Sequence, residues 1–133
     1  MKHANYYVLS EICSALERIP DDKAELVART SPGDEAALRD IIRSFILPDF
    51  LRLTEGSQQK CKDSLSYFLT TGEAPFGKLL AGLQDSPLGV VTEPAKFFLW
   101  VWLELFPTED YHVDTTGWNV ENRRERAGLF WKT

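Results

Sequence analysis

The chain has 133 residues, a formal net charge of −5 and a hydrophobic content of 44%. This length is typical of a single domain with one core, so we expect one domain spanning residues 1–133. The net acidity argues against direct binding of nucleic acid, because proteins that contact backbone phosphates usually carry a basic surface. Two cysteines, Cys13 and Cys61, are too few for a disulfide framework or a self-contained zinc site, and we expect both as reduced thiols in the core.

The sequence shows neither an export signal nor a membrane-spanning segment. The apolar residues 6–9 are followed by Ser10 and Glu11, which interrupt them before the core of a signal peptide could form. The longest apolar run, residues 97–103, is far shorter than the roughly 20 residues needed to span a bilayer. We therefore expect a cytoplasmic protein with no membrane association.

Two helices are predicted at the start of the chain. Apolar residues recur at three- and four-residue spacing over residues 8–19, which predicts a first helix over about residues 5–19. Pro20 should end it, since the residue before a proline avoids helical backbone angles. Asp21 and Asp22 favour the start of a short second helix that runs to Val27 and Ala28, because negative charge is stabilising at a helix N-terminus.

A third helix is predicted from Ser31 and Pro32. Ser31 can cap a helix and Pro32 suits its first position. A continuous apolar stripe over residues 38–46 supports this helix. We expect Pro48 to stop or kink it, because proline lacks the backbone donor that a helix interior needs.

The middle of the chain should contain one long and one short helix. Ser57 is predicted to open the long helix, after a break at residues 55–56, and Gly72 to end it in the left-handed conformation. A shorter helix should cover residues 76–83, which repeat apolar residues at helical spacing. The predicted buried face of the long helix is formed by Cys61, Leu65, Phe68 and Leu69.

The aromatic-rich segment 94–106 is predicted to be the central helix. Residues 92–94 carry a capping signal followed by a proline, and apolar residues then surround the helix axis, which is typical of a buried helix. A buried strand is the alternative, since periodicity does not separate the two, but the capping signal favours a helix. The predicted fold is an all-α, single-domain bundle of about six helices, with the apolar stripes 8–19, 38–46, 61–69 and 76–83 packed around this segment.

The C-terminal part of the chain is less regular. Residues 107–118 contain threonines, a glycine and alternating acids, which indicate a loop or a short hairpin. Residues 119–127 should form a last, charged helix. Leu129, Phe130 and Trp131 should then dock the C-terminus on the core.

No catalytic motif emerges from the sequence. Ser57 and Lys60 match the S-x-x-K pattern of serine acylases, but that chemistry needs partner motifs from a much larger fold, so we interpret them as a helix cap and a solvated lysine. Phosphate loops, dinucleotide fingerprints, zinc-protease motifs and nucleophile elbows are all missing. We expect a protein that is not an enzyme and holds no cofactor.

One cluster contains side chains that could ligate a metal. Asp110, His112 and Asp114 alternate along the chain, so their donors would share one face of an extended segment. Three ligands on a flexible stretch form a weak site without partners from elsewhere. A solvated acidic loop is the simpler interpretation, and we predict no metal.

The strongest candidate site is the acidic, aromatic segment around the end of the central helix. Interfaces depend on a few aromatic anchors inside a charged rim, and complementary charge speeds the encounter with a partner. We therefore predict a stoichiometric protein-binding module, most concretely an immunity or antitoxin protein that inhibits a basic toxin such as a nuclease. The predicted partner-binding residues are Glu104, Glu109, Asp110, Tyr111, Asp114 and Trp118.

Three alternatives stay open at this level. The acids could only solubilise a loop while Arg123, Arg124 and Arg126 neutralise them within the molecule. The protein could be a small metal-dependent hydrolase centred on Asp110 and its two neighbouring candidate ligands. It could also be a structural subunit of a larger assembly, and both a monomer and a homodimer are compatible with the sequence.

Overall fold

Helices form most of the computed structural model, which describes residues Met1–Thr133. The predicted all-α bundle is confirmed, and the sheet consists of two short strands, β1 (His3–Ala4) and β2 (Asn119–Val120). None of the helices combines the length and the apolar character needed to cross a membrane. The six helices are α1 (Tyr7–Ile12, continued by a 3-10 helix over Cys13–Arg18), α2 (Asp21–Ala28), α3 (Glu35–Ile41, a π-helical turn Ile42–Ile46, and Leu47–Leu51), α4 (Glu55–Thr71), α5 (Phe76–Ala81) and α6 (Pro94–Leu105).

Helix α6 lies at the centre of the bundle, as the sequence predicts. It contacts α3, α4 and α5, and the side chains of Phe97, Phe98 and Trp102 are almost completely buried. Full burial of each of these phenylalanines stabilises the fold by roughly 1.5–3 kcal/mol. Pro94 occupies the first turn, where its missing amide is not needed. The aromatic run is therefore a helix and not the rival strand.

Helix α3 begins later than predicted. Asp34, and not Ser31, is its cap, because the Asp34 carboxylate accepts a hydrogen bond of 3.1 Å from the Ala37 amide. Pro48 does not end the helix. The chain makes a π-helical turn immediately before it and then continues as a helix, which accommodates the absence of a regular donor at the proline.

Helix α4 begins earlier than predicted. Thr54 is its cap, since the Thr54 hydroxyl accepts from the Ser57 amide at 3.2 Å, and residues 55–56 lie inside the first turn. Ser57 is therefore an interior helical residue, and it is buried. Gly72 ends the helix with φ of 70°, as predicted.

The predicted helix over residues 119–127 is wrong. Strand β2 pairs in parallel with β1, so that the Asn119 amide donates to the Lys2 carbonyl at 2.9 Å and the Glu121 amide to the Ala4 carbonyl at 3.0 Å. Only Arg124–Arg126 form a short 3-10 turn. Tertiary pairing with the N-terminus has overridden the local helical preference of a charged segment.

The last residues dock through their backbone more than through their side chains. The Phe130 carbonyl accepts from the Thr54 amide at 2.9 Å, and the Lys132 amide donates to the Arg52 carbonyl at 2.8 Å. Leu129 packs against the core, whereas the side chains of Phe130 and Trp131 are 69% and 47% exposed. The prediction of a docked C-terminus is thus right for Leu129 and wrong for Phe130, whereas the Trp131 ring lies on the surface, where its indole donates to the Asp49 carboxylate at 3.3 Å.

Candidate functional site

The segment after α6 is an ordered loop. The indole of Trp102 donates to the Glu109 carbonyl at 2.8 Å, so the start of the loop is fixed to the core. Further along, the Thr70 hydroxyl donates to the Tyr111 carbonyl at 3.3 Å and accepts from the Val113 amide at 3.2 Å. These contacts hold an extended stretch of chain along α4 without any regular strand.

Exposure alternates along this stretch. Asp110, His112 and Asp114 are exposed, whereas Tyr111 and Val113 are half-buried. In an extended chain successive side chains point to opposite sides, so the two acids and the histidine share the outward face. We call Asp110, His112 and Asp114 the acidic ridge.

Both acids of the acidic ridge are ionised at neutral pH and have no lysine or arginine partner. The Asp110 carboxylate accepts from the His112 amide at 3.0 Å and lies 2.6 Å from its ring Nδ1. The bond from the His112 amide, followed by that from its ring, lowers the pKa of Asp110. The Asp114 carboxylate accepts from the Thr116 amide at 2.9 Å, and this bond lowers the pKa of Asp114.

The geometry of the acidic ridge gives no support to a metal site. Each aspartate carboxylate accepts a hydrogen bond from the backbone amide two residues later in the chain. The His112 ring stacks on the Tyr111 ring, with 4.1 Å between the ring centres. No group of three or more histidine, cysteine, aspartate or glutamate side chains in the molecule is arranged to hold a metal ion.

Glu104 does not belong to this exposed surface. It lies within α6, and its carboxylate accepts hydrogen bonds from Arg39 at 2.8 Å and from Arg43 at 2.9 and 3.2 Å, with only 9% of the side chain exposed. The bond from Arg43 holds the pKa of Glu104 below its ordinary value, although burial acts in the opposite direction, and the bond from Arg39 adds to this lowering. The inclusion of Glu104 among the partner-binding residues needs correction, since arginines of α3 already bind its charge.

Glu109 occupies an intermediate position at the edge of the acidic ridge. Its carboxylate pairs with the Lys62 ammonium, which also lies over the Phe106 ring at 5.8 Å. The Glu109 side chain is 46% exposed. A partner would therefore meet a carboxylate whose charge is already shared with a lysine.

Trp118 lies at the other end of the ridge as a fixed, half-buried ring. Its indole donates to the Asp114 carbonyl at 2.9 Å, and its ring packs against Tyr67 at 5.3 Å. The Lys2 ammonium lies 5.4 Å from the ring centre. Trp118 thus presents part of a rigid aromatic surface beside Asp114.

Ser57 and Lys60 have structural roles that the sequence did not reveal. The Ser57 hydroxyl accepts from the Phe130 amide at 2.8 Å, and the Lys60 ammonium donates to the Gly128 carbonyl at 2.9 Å. Both side chains therefore bind the C-terminal backbone. Their spacing of one helical turn lets both side chains bind the C-terminal segment, and it does not indicate a serine nucleophile.

Comparison with known proteins identifies no relative: no family model matches the chain, and neither a curated protein nor a solved structure is significantly similar to it.

Proposed function

We propose that the protein is a stoichiometric protein-binding module and that the acidic ridge contacts its partner. In its most concrete form, the proposal is an immunity or antitoxin protein that inhibits a basic toxin such as a nuclease. The observation that carries it is the pair Asp110 and Asp114, two exposed, ionised carboxylates without a lysine or arginine partner on an ordered segment.

Electrostatics favours a basic partner. The pKa values of Asp110 and Asp114 are both lowered, so both side chains keep their charge well below neutral pH. Unpaired negative charge on a protein of net charge −5 attracts cationic proteins and speeds their association. Glu109 contributes less because Lys62 shares its charge, and Glu104 is not part of the proposed contact.

The order of the loop also favours binding. Its backbone is tied to Trp102 and Thr70, so little conformational entropy is lost when a partner docks. Trp118 supplies a rigid aromatic surface beside the acids, the type of residue that most often anchors an interface. The cytoplasmic location in this proposal is supported by Cys13 and Cys61, which are buried free thiols.

The experiment compares two charge reversals of equal size. The wild-type protein captures its partner from host extract, and the purified partner is then tested for inhibition at equimolar ratio. The double variant Asp110→Lys with Asp114→Lys should associate with the partner about tenfold or more slowly than the wild type at low salt. High salt should reduce this difference in association rate, because salt screens the charges. The double variant Glu25→Lys with Asp40→Lys is the control. It reverses the same number of charges, but these exposed acids lie on α2 and α3, outside the acidic ridge.

Two results contradict the proposal. One is equal association rates for the two double variants, which would place the contact elsewhere. The other is the absence of any partner held in stoichiometric amount, which would remove the binding function itself. If the retained protein is a second copy of this chain, the structural-subunit alternative is correct.

A further inference from the structure

A polar cavity lies between β1, α4 and the C-terminal segment, apart from the acidic ridge. Its volume is about 430 Å³, within the range of small-molecule sites. Ala4 and Val8, both buried in the core, form its apolar floor. Its polar lining is formed by His3, Asn5, Lys60, Ser64, Asn119, Glu121 and Arg126. We call this space the terminal cavity, because both ends of the chain contribute to it.

Two cations of the terminal cavity have unused donors. The Lys60 ammonium carries three N–H groups and donates one hydrogen bond within the protein, to the Gly128 carbonyl. The Arg126 guanidinium lies 3.8 Å from the Glu121 carboxylate, which is too far for a hydrogen bond. Both side chains can therefore donate to an anion without breaking a short contact.

Ser64 adds a buried hydroxyl to the lining of the terminal cavity. It is only 1% exposed, and its oxygen accepts from the Asn5 amide at 3.2 Å. The hydroxyl hydrogen itself is donated to no protein oxygen. The Ser64 oxygen thus has a hydrogen-bond partner, and its hydrogen can still be donated to an acceptor in the terminal cavity.

The acceptor that fits is an anion with several oxygens. We propose that the terminal cavity binds a small phosphate monoester that carries hydroxyl groups, such as a sugar phosphate. Lys60, Ser64 and Arg126 all line the terminal cavity, and a phosphate has enough oxygens to accept from all three. This inference is independent of the proposed protein partner.

Glu121 determines which phosphates bind well. As the carboxylate of the terminal cavity it repels a bare phosphate, but it accepts a hydrogen bond from a ligand hydroxyl. A hydroxylated monoester can donate to Glu121 from an alcohol group that lies away from its phosphate, whereas any hydroxyl of inorganic phosphate lies on the charged group itself.

Isothermal titration calorimetry with glucose 6-phosphate, glucose and inorganic phosphate tests the proposal. The wild-type protein should bind glucose 6-phosphate more tightly than inorganic phosphate and should not bind glucose. Arg126→Gln should weaken glucose 6-phosphate binding by about tenfold or more, because a charge-assisted hydrogen bond is lost. Glu121→Gln should strengthen the binding of inorganic phosphate and reduce the preference for the sugar phosphate.

The matched control is Arg29→Gln, which removes an exposed arginine that directly follows α2 and lies outside the terminal cavity. It should leave all three titrations unchanged. Arg126 is 66% exposed in its side chain, so Arg126→Gln is expected to fold, which circular dichroism checks. Amide shifts of Ser64 and Asn119 on titration locate the ligand.

The proposal is overturned if neither phosphate binds the folded wild-type protein at millimolar concentration. It is equally overturned if Arg29→Gln and Arg126→Gln weaken binding to the same extent, since the ligand would then be attracted by surface charge alone. Opposite effects of Arg126→Gln and Glu121→Gln on inorganic phosphate support it.

Discussion

The contact between Glu104 and two arginines of α3 should be a measurable contribution to stability. The Glu104 side chain is 9% exposed, and its carboxylate accepts three hydrogen bonds from Arg39 and Arg43. Glu104→Gln keeps the size of the side chain and removes its charge. The arginines then lose their anionic partner while remaining partly solvated, since Arg39 is 29% and Arg43 54% exposed.

The expected cost follows from these contacts. A hydrogen bond to a charged group contributes about 1.5–3 kcal/mol. Glutamine can still accept one bond, and solvent compensates Arg43 in part, so we expect a loss of about 2 kcal/mol in the free energy of unfolding. For a chain of this length that loss lowers the melting temperature by about 7 °C.

The pH dependence provides a second measurement. The pKa of Glu104 is lower in the folded state than its ordinary value, so its contribution is fully present above the ordinary value and disappears as the pH falls through the lowered one. Urea unfolding of the wild type and Glu104→Gln should therefore show a constant difference near neutral pH. The difference should shrink as the pH falls from about 5 towards 2.

The control is Glu25→Gln, which breaks an exposed pair with Arg29 on α2. An exposed pair at this spacing contributes about 0.3–0.5 kcal/mol, so the melting temperature should hardly change. Equal losses for the two variants, or a Glu104→Gln loss that is independent of pH, would refute the assignment of Glu104 to the interior of the molecule.

Two further predictions concern α4. Gly72→Ala should destabilise the protein by about 1 kcal/mol in urea unfolding, because Gly72 has φ of 70°. The control is Gly56→Ala in the first turn, where the added Cβ meets no atom within 4 Å, so this variant should be neutral or slightly stabilising. Equal effects of the two variants on the free energy of unfolding would contradict this prediction. Ser57→Ala should cost about 1–3 kcal/mol and speed hydrogen exchange at the Phe130 amide, because that amide donates to the Ser57 hydroxyl. Unchanged exchange at Phe130 would show that this bond does not hold the C-terminal segment.

The elements that the sequence predicts well are those with strong local signals. Residues 94–106 combine a proline near the first turn with an apolar run, and the observed helix Pro94–Leu105 agrees within a residue at each end. Gly72 is a similar case, because the end of the helix requires a residue in the left-handed conformation and glycine adopts this conformation readily. In both cases the neighbouring residues carry all the information that decides the structure.

The elements that the sequence misses depend on distant partners. Residues 119–127 are mostly polar and charged, like a solvated helix, yet the first two of them, Asn119–Val120, pair with His3–Ala4. At α4 the predicted start is Ser57, yet Thr54 forms the cap and the Ser57 hydroxyl accepts from the Phe130 amide. Such choices are made by tertiary contacts, which local patterns do not contain.

The candidate site shows the same division. The alternation of residues 110–114 predicts a shared outward face for three polar side chains, and the structure has this alternation. Arg39, which donates to the Glu104 carboxylate, lies 65 residues away from it in sequence. The terminal cavity is harder still, since it joins residues from His3 to Arg126 and no motif connects them.

The pairing of β1 with β2 has a consequence for how the molecule is made. His3–Ala4 find their backbone partners only after Asn119–Val120 have been synthesised. Closing a loop of this length costs entropy that only the completed bundle can offset. A nascent chain that contains all six helices but not yet Asn119–Val120 would thus leave β1 without its backbone partner, and the pairing of β1 with β2 should be among the last contacts to form.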